Sequence, residues 1–330
     1  GDDLLYNCLS SLQNACEEMP EIVVVDNSAN DATKKLVEAY PTAKYVASET
    51  NLGFAGGNNL GLPHCTKPYV LLLNNDTIIH KEPFTQLIEY LENNPRVAVV
   101  QGKMKLVRQG EVLDSCGIML TPVGLLYDQF AMLDIGKTNV PTRPVHSIKG
   151  AMMVIRQEII QKVGGLFYNH FHSNYEETDF CHRAWLGGYE VHFVDTYPID
   201  HLQGQTISRL NQIDVLGRTY ANQLFSFMTT LEMKNAIKMS FSLMSLLFCI
   251  AVYNLLKGQI SFFRIFKVSI KSLWHRRREV YNTRKNIQKM RVVTDKEIFQ
   301  HSMSKLDLCS YFHMLKGDWV NYNRKRNGLT

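Results

Sequence analysis

Three short apolar runs recur along the chain. They are Ile22-Val23-Val24-Val25, Tyr69-Val70-Leu71-Leu72-Leu73 and Val97-Ala98-Val99-Val100, with segments of helical period between them. A strand that is apolar at consecutive positions has both faces buried, as happens when helices cover a parallel sheet on both sides. The intervening pattern agrees. Leu4 to Leu12 and Ala32 to Tyr40 have helical spacing, and Ser28-x-x-Asp31 fits a capping box, with Ser28 or Asn30 as cap. A short strand is expected over Lys44 to Ala47, and a helix from Lys81-Glu82-Pro83 to Asn94, before Pro95. The fold class predicted is α/β, a mostly parallel sheet with helices on both faces.

Gly102 to Lys149 has no clear period and reads as loops and short antiparallel strands. Ala151 to Arg156 reads as a strand, and Gln157 to Val163 as a helix stopped by Gly164-Gly165. Asp179 to Leu186 is the next helix, and Val191 to Val194 the last strand of this block. From Ile213 on, helical pattern dominates. At 330 residues the chain is too long for one minimal core. A catalytic-type domain over 1–210 and a helical, basic region over 211–330 are expected.

The net charge of +5 is unevenly spread. Lys257 to Lys296 holds twelve Lys/Arg against Glu279 and Asp295, a local +10, so the rest of the chain is −5 by subtraction. Met239 to Leu256 has eighteen residues without charge, diluted by three Ser and one Asn. That just reaches transmembrane length, and an interfacial or buried helix is the stronger reading. Ile260 to Trp274 mixes aromatics with Lys and Arg, and Arg276-Arg277-Arg278 follow. Such a segment suits an anionic membrane surface, the bland alternative being a solvated basic face. No nucleic-acid recognition module accompanies it. Seven scattered cysteines without CxxC point to a reducing compartment. Gly1-Asp2-Asp3-Leu4 has neither the basic nor the apolar region of a signal peptide.

Ligands of α/β sheets bind outside the carboxyl ends of the strands. Polar clusters follow three such ends: Asp26-Asn27-Ser28, Asn74-Asn75-Asp76, and Asp200-His201 a few residues after the last strand. Glu176-Glu177-x-Asp179 opens a helix nearby. Carboxylates gathered at one edge repel one another, so a bound cation is a natural partner. Asp and His beside a phosphate-rich ligand suit Mg²⁺ or Mn²⁺. Taken singly, Asp76 would be a turn residue, Asp26 the start of an Asx turn, and the acidic triplet a favoured helix start. His170-Phe-His172 lacks a third ligand at suitable spacing, and Trp185 and Tyr189 read as core. The glycines of Asn51 to Asn59 do not fit GxGxxG, which counts against an NAD-linked oxidoreductase.

DNSANDAT (Asp26 to Thr33), NLGFAGGNN (Asn51 to Asn59), LLLNNDT (Leu71 to Thr77), KGAMMVIR (Lys149 to Arg156), YEETDFCHRAWLGGYEV (Tyr175 to Val191) and His201 occur in that order. Together they resemble family 2 glycosyltransferases of the GT-A, Rossmann-like fold, as far as about Ser208. NLGFAGGNN is most similar to bacterial rhamnosyltransferases and galactofuranosyltransferases of surface-polysaccharide assembly. The resemblance implies an inverting, metal-dependent transfer of a sugar from a nucleotide-diphosphate donor, with Mg²⁺ or Mn²⁺. It implies dTDP-rhamnose or a UDP-sugar as donor, and a glycan or lipid-linked acceptor. Asp26, with Asn27 and Ser28, matches the nucleotide contact. Asn74-Asn75-Asp76 matches the D-x-D-type motif, with Asp76 and His201 as metal ligands. Asn74 stands where many relatives have Asp. Glu177 matches the catalytic base and Glu176 is its fallback. Asn51, Gly53, Gly57, Gly150 and Asp179 complete the implied donor and acceptor contacts, with Gly53, Gly56 and Gly57 letting backbone approach the donor.

The family's first strand, with its Thr-Tyr-Asn-like nucleotide contact, is not in this sequence. Either the chain is truncated or its numbering begins after that strand. The rival reading is therefore a non-catalytic nucleotide-sugar-binding or scaffold member of the same assembly. The implied location is cytoplasmic, peripheral at the inner face of the plasma membrane, and a homodimer is an open expectation.

Overall fold

The computed structural model describes residues 2–107, 110–128, 130–202, 212–256, 258, 261–304, 309–311, 313, 321, 322 and 325. The expected domain boundary at 210, the end of the motif series near Ser208, and Lys257 and Ile260 lie outside the described residues.

The chain opens with α1 (Asp2–Ala15), β1 (Ile22–Asp26), α2 (Asp31–Glu38), β2 (Ala43–Ala47), α3 (Gly53–Gly61), β3 (Tyr69–Leu73), β4 (Thr77–Ile78), α4 (Phe84–Asn93) and β5 (Val97–Gln101). The aperiodic middle resolves into β6 (Met104–Leu106), β7 (Val112–Ser115), β8 (Ile118–Leu120), β9 (Leu126–Asp128) and β10 (Arg143–Pro144). Then come β11 (Met152–Arg156), α5 (Gln157–Lys162), α6 (Glu176–Leu186), β12 (Glu190–Phe193) and β13 (Ile199–His201). Helices complete the chain: α7 (Gln212–Thr230), α8 (Met233–Leu256), α9 (Ser261–His275), α10 (Arg277–Lys289) and α11 (Asp295–Ser302).

The central sheet has five strands in the order β10-β12-β5-β11-β3. It is mixed, a correction to the mostly parallel expectation. β12 runs parallel to β5, but β11 lies antiparallel between β3 and β5, and β10 is antiparallel to β12. The strand at Met152 follows the irregular middle segment and not a crossover helix, so nothing in its connection imposes the parallel sense. β1 and β2 form a separate parallel pair. Helical cover on both faces holds. Along β11, Met153 and Ile155 enter a core with Phe180 and Ala184 of α6, while Met152 and Val154 enter another with Leu87 and Leu91 of α4.

Two details differ from the sequence reading. Of the two caps the sequence offers it is Asn30 that is used, and the Ser28-Asp31 capping box does not form. Asn30 caps α2 by accepting from the Ala32 amide, and the Ser28 hydroxyl donates to Asp26 instead. Asp200 and His201, expected beyond the last strand, lie in one of their own. β13 pairs antiparallel with β4, His201 opposite Thr77, and parallel with β6. That pairing fixes His201 one residue away from Asp76.

Candidate functional site

The Tyr69 strand is followed by Asn74, whose amide donates to Ala151 at 3.0 Å and whose carbonyl accepts from the Thr77 hydroxyl at 2.7 Å. The turn this makes delivers Asp76 to the edge. Its Oδ1 is buried without a hydrogen-bond partner, and stands 3.4 Å from His201 Nε2. The other imidazole nitrogen, Nδ1, is 2.8 Å from Asp114 Oδ2. Asp114 also takes a 2.6 Å hydrogen bond from Lys149. Burial favours the neutral imidazole, but the Asp114 and Asp76 carboxylates outweigh it and push His201 up to about 9. Burial likewise works against the Asp114 charge, and His201 and Lys149 hold it below the usual carboxylate range.

The next residue continues the network. The Gly150 amide points at Glu177 Oε1, 3.4 Å away, while Glu177 Oε2 has no partner. Glu177 is half-buried, and its desolvation raises its pKa against the opposing pull of backbone amides and Lys149. Glu176 is 3% exposed, and burial together with the Glu177 charge pushes it up to about 8. Of two neighbouring carboxyls in a poorly solvated place, one keeps its proton. The segment before them is strained: His172, Asn174 and Tyr175 all have positive φ (59°, 72° and 80°). Such backbone persists only where its surroundings over-determine it. Here Asn222 of α7 donates to the carbonyls of Phe171 (3.0 Å) and Asn174 (2.9 Å).

A second group gathers at the tip of β1. Asp26 accepts from the Ser28 amide and hydroxyl, the Asn30 amide and the Tyr45 hydroxyl, at 2.6–2.9 Å. Burial alone would raise its pKa, but these four donors lower it. Its carboxylate is thus already engaged in its own turn. Asn27 bridges to α3, donating to the Gly53 carbonyl at 3.1 Å and accepting from the Leu52 amide at 3.3 Å. Asn51 accepts from the Gly53 amide at 2.9 Å. The glycines here meet protein. Gly53 has φ +70°, and a Cβ on it would lie 2.3 Å from the His172 carbonyl; one on Gly57 would lie 3.1 Å from Asn27. A Cβ on Gly150 would strike the Phe54 ring at 2.8 Å. α3 therefore joins the two groups, Phe54 against Gly150 and Gly53 against His172.

Asp179 is a correction. Expected among the substrate contacts, it is fully buried and ion-paired with Arg183 at 2.8 Å, one helical turn on. Arg183 in turn donates to the carbonyls of Val163, Gly165 and Leu166, so the pair anchors α6 to the segment after α5. Sequence reasoning missed Asp114 and the part played by Lys149. Asp114 sits in β7, in the stretch with no readable period; its one signal is a carboxylate inside Val112-Leu113-Asp114-Ser115, a short apolar strand. No side-chain hydrogen bond of Asn75 constrains it among the described residues.

The donor set suits a hard divalent cation. Asp76 offers an oxygen without a hydrogen bond, and His201 presents Nε2, which must give up its proton to ligate, while Asp114 holds Nδ1, the arrangement of a ligating histidine backed by a carboxylate. Among the described residues no group of three or more His, Cys, Asp or Glu stands ready. Two protein ligands leave the remaining positions for phosphate oxygens and water, the usual situation of Mg²⁺ in nucleotide sites. A cavity of about 480 Å³ lined by Thr66, Tyr69, Arg156 and Gln157 lies at the other end of β3, away from this edge.

Residues 2–164 match the family model for glycosyl transferase family 2. The low-salt glycan biosynthesis hexosyltransferase Agl10 of Haloferax volcanii is 29% identical over 182 residues, covering 53% of this chain and 57% of that protein. The amylovoran biosynthesis glycosyltransferase AmsB of Erwinia amylovora is 32% identical over 115 residues, covering 32% and 37%. The chain thus spans little more than half of the first relative and about a third of the second. The crystal structure of GalNAc-T7 with UDP, GalNAc and Mn²⁺ superimposes with a TM-score of 0.53 over 69% of this chain and 46% of that one, at 13% identity, a likeness of fold.

Proposed function

We propose, from the match of residues 2–164 to glycosyl transferase family 2, that the chain is an inverting, metal-dependent transferase of glycan biosynthesis. It moves a sugar from a nucleotide-diphosphate donor, dTDP-rhamnose or a UDP-sugar, to a hydroxyl of a glycan or lipid-linked acceptor. It works at the cytoplasmic membrane face. The observation that carries the reading is two buried carboxylate oxygens without a hydrogen bond, Asp76 Oδ1, approached by His201 Nε2 at 3.4 Å, and Glu177 Oε2, their residues linked through His201, Asp114, Lys149 and Gly150.

Asp76 and His201 would hold Mg²⁺ or Mn²⁺, which when bound supplies positive charge against the leaving diphosphate. Glu177 Oε2 accepts the proton of the acceptor hydroxyl, whose oxygen attacks the anomeric carbon from the face opposite the diphosphate. Glu176 keeps its own proton and leaves the base role to its neighbour. Lys149 shares the Asp114 carboxylate with His201 and offsets part of its charge.

Calorimetric titration of UDP, dTDP and GDP, with and without Mn²⁺ and beside Asp76→Ala, tests the reading. One nucleotide should bind in a metal-dependent way, and the variant should lose that binding. No binding of any nucleotide would favour the non-catalytic alternative.

A further inference from the structure

The C-terminal helices carry a surface that sugar transfer does not use. One row of α8 is buried: Ala236, Met239, Leu243, Leu247 and Ala251. The opposite row exposes Ile237, Phe241, Phe248, Tyr253 and Leu256, with Phe241 73% exposed. α9 continues this surface. Phe248 meets Phe263 and Phe266 with ring centroids 6.3 and 5.7 Å apart. Toward the start of α8, Met233 shares a groove of about 380 Å³ with Ile270, Trp274 and Tyr281. Trp274 and Tyr281 are 66% and 70% exposed. Contiguous apolar surface of this kind marks an interaction site.

Its rim is basic. Lys234 and Lys238 stand on α8, Lys267 and Lys271 on α9, and Arg277 and Arg278 just after it, all exposed. Among the described residues, no carboxylate pairs with any of the six, whereas Arg264 pairs with Asp214 and Arg276 with Glu279. Arg277 stacks over Trp274 at 5.0 Å, so charge and aromatic surface are one patch.

We propose that α8 and α9 dock the chain on an anionic lipid bilayer, lying in the plane of the interface without crossing it. By length and composition α8 could span: it has 24 residues, and an eighteen-residue stretch of it has a mean hydropathy of 1.9. Its buried row is already committed, however. The Met239 carbonyl is 3.6 Å from where a Gly124 Cβ would stand, and α7 beneath is tied to the sheet domain through Asn222 and Gln223. To span, α8 would have to break these contacts or draw the charged α9 into hydrocarbon. A second copy on this face would set two basic rims against each other. Anionic headgroups answer the rim, and the acyl boundary answers the aromatics.

The inference deepens the membrane part of the proposed function and is read without donor or acceptor, so either can fail alone. The full chain is floated with phosphatidylcholine vesicles, with and without phosphatidylglycerol. Binding is expected to the anionic vesicles only, and to fall with salt. Lys267→Gln with Lys271→Gln should weaken it by about fivefold per charge. Phe241→Ser with Trp274→Ser should weaken it by about tenfold or more. A spin label on Cys249, which is exposed midway along α8, should report a depth of about 5–10 Å. Cys16, Cys65 and Cys309 are replaced by Ser for that measurement. A label near the bilayer centre, about 15 Å deep, would mean a spanning helix and overturn the proposal. Equal binding to neutral vesicles, or no binding at all, would also overturn it. A dimer in vesicle-free solution that the aromatic variant abolishes would assign the face to a second copy.

Discussion

In this reading the reaction turns on Glu177. Burial raises its pKa, and a protonated carboxyl cannot act as base, so kcat/KM should climb with pH through that raised value in an initial-rate profile. Glu177→Gln should lower kcat by about 10²–10⁴-fold and leave nucleotide binding in calorimetry unchanged. Loss of binding with it would make Glu177 a structural group. Asp114 acts through His201, and Asp114→Asn should weaken Mn²⁺ affinity about 10–100-fold without removing a ligand. Equal metal dependence in variant and wild type would refute that role. Asp76 and Glu177 were legible as candidates because each sits in a short motif, and His201 because it follows the motif series in order. Asp114 was not, because its function is a contact across 87 positions of sequence that no local pattern encodes.

At the scale of elements, the network depends on how α6 and β13 are seated. The Asp179–Arg183 pair is desolvated, and removing one partner strands the other charge. Arg183→Ala should cost about 3–5 kcal/mol in denaturant unfolding, while a loss below 1 kcal/mol would show that the site relaxes around it. Asn222 belongs to α7, yet it holds the strained turn before Glu176. Asn222→Ala should lower kcat more than it changes KM, since it frees the base and not the nucleotide. A KM effect alone would place the turn in donor binding. Strand and helix positions were readable from period. The mixed sense of β11 was not, since an apolar run looks the same whichever way its neighbour points.

At the scale of the molecule, buried histidines set the pH range. Burial depresses His146, and holds His182 down to about 3. The unfolded chain takes up these protons near pH 6.5 and the folded chain refuses them, so stability should fall as pH drops from about 6.5 toward 3. His201 has the opposite sign. Its folded value is raised to about 9, so its contribution is full below about 6.5 and is lost as pH rises through 9. Melting temperature against pH should show both limbs, and His182→Leu should flatten the acid one. An unchanged acid limb in that variant would exclude His182 as its cause.

Residue order alone sets the α/β class, the two covered faces of the sheet, and the polar groups at its carboxyl edge. Apolar period and motif order are local properties, and local chemistry decides them. Which of those groups are available follows from the packing. It closed Asp26 within its own turn, buried Asp179 against Arg183, and brought Asp114 under His201 by pairing β6 with β7 and β13. Availability depends on which atoms from distant segments fill a group's hydrogen-bonding capacity, and that is settled only when the segments pack.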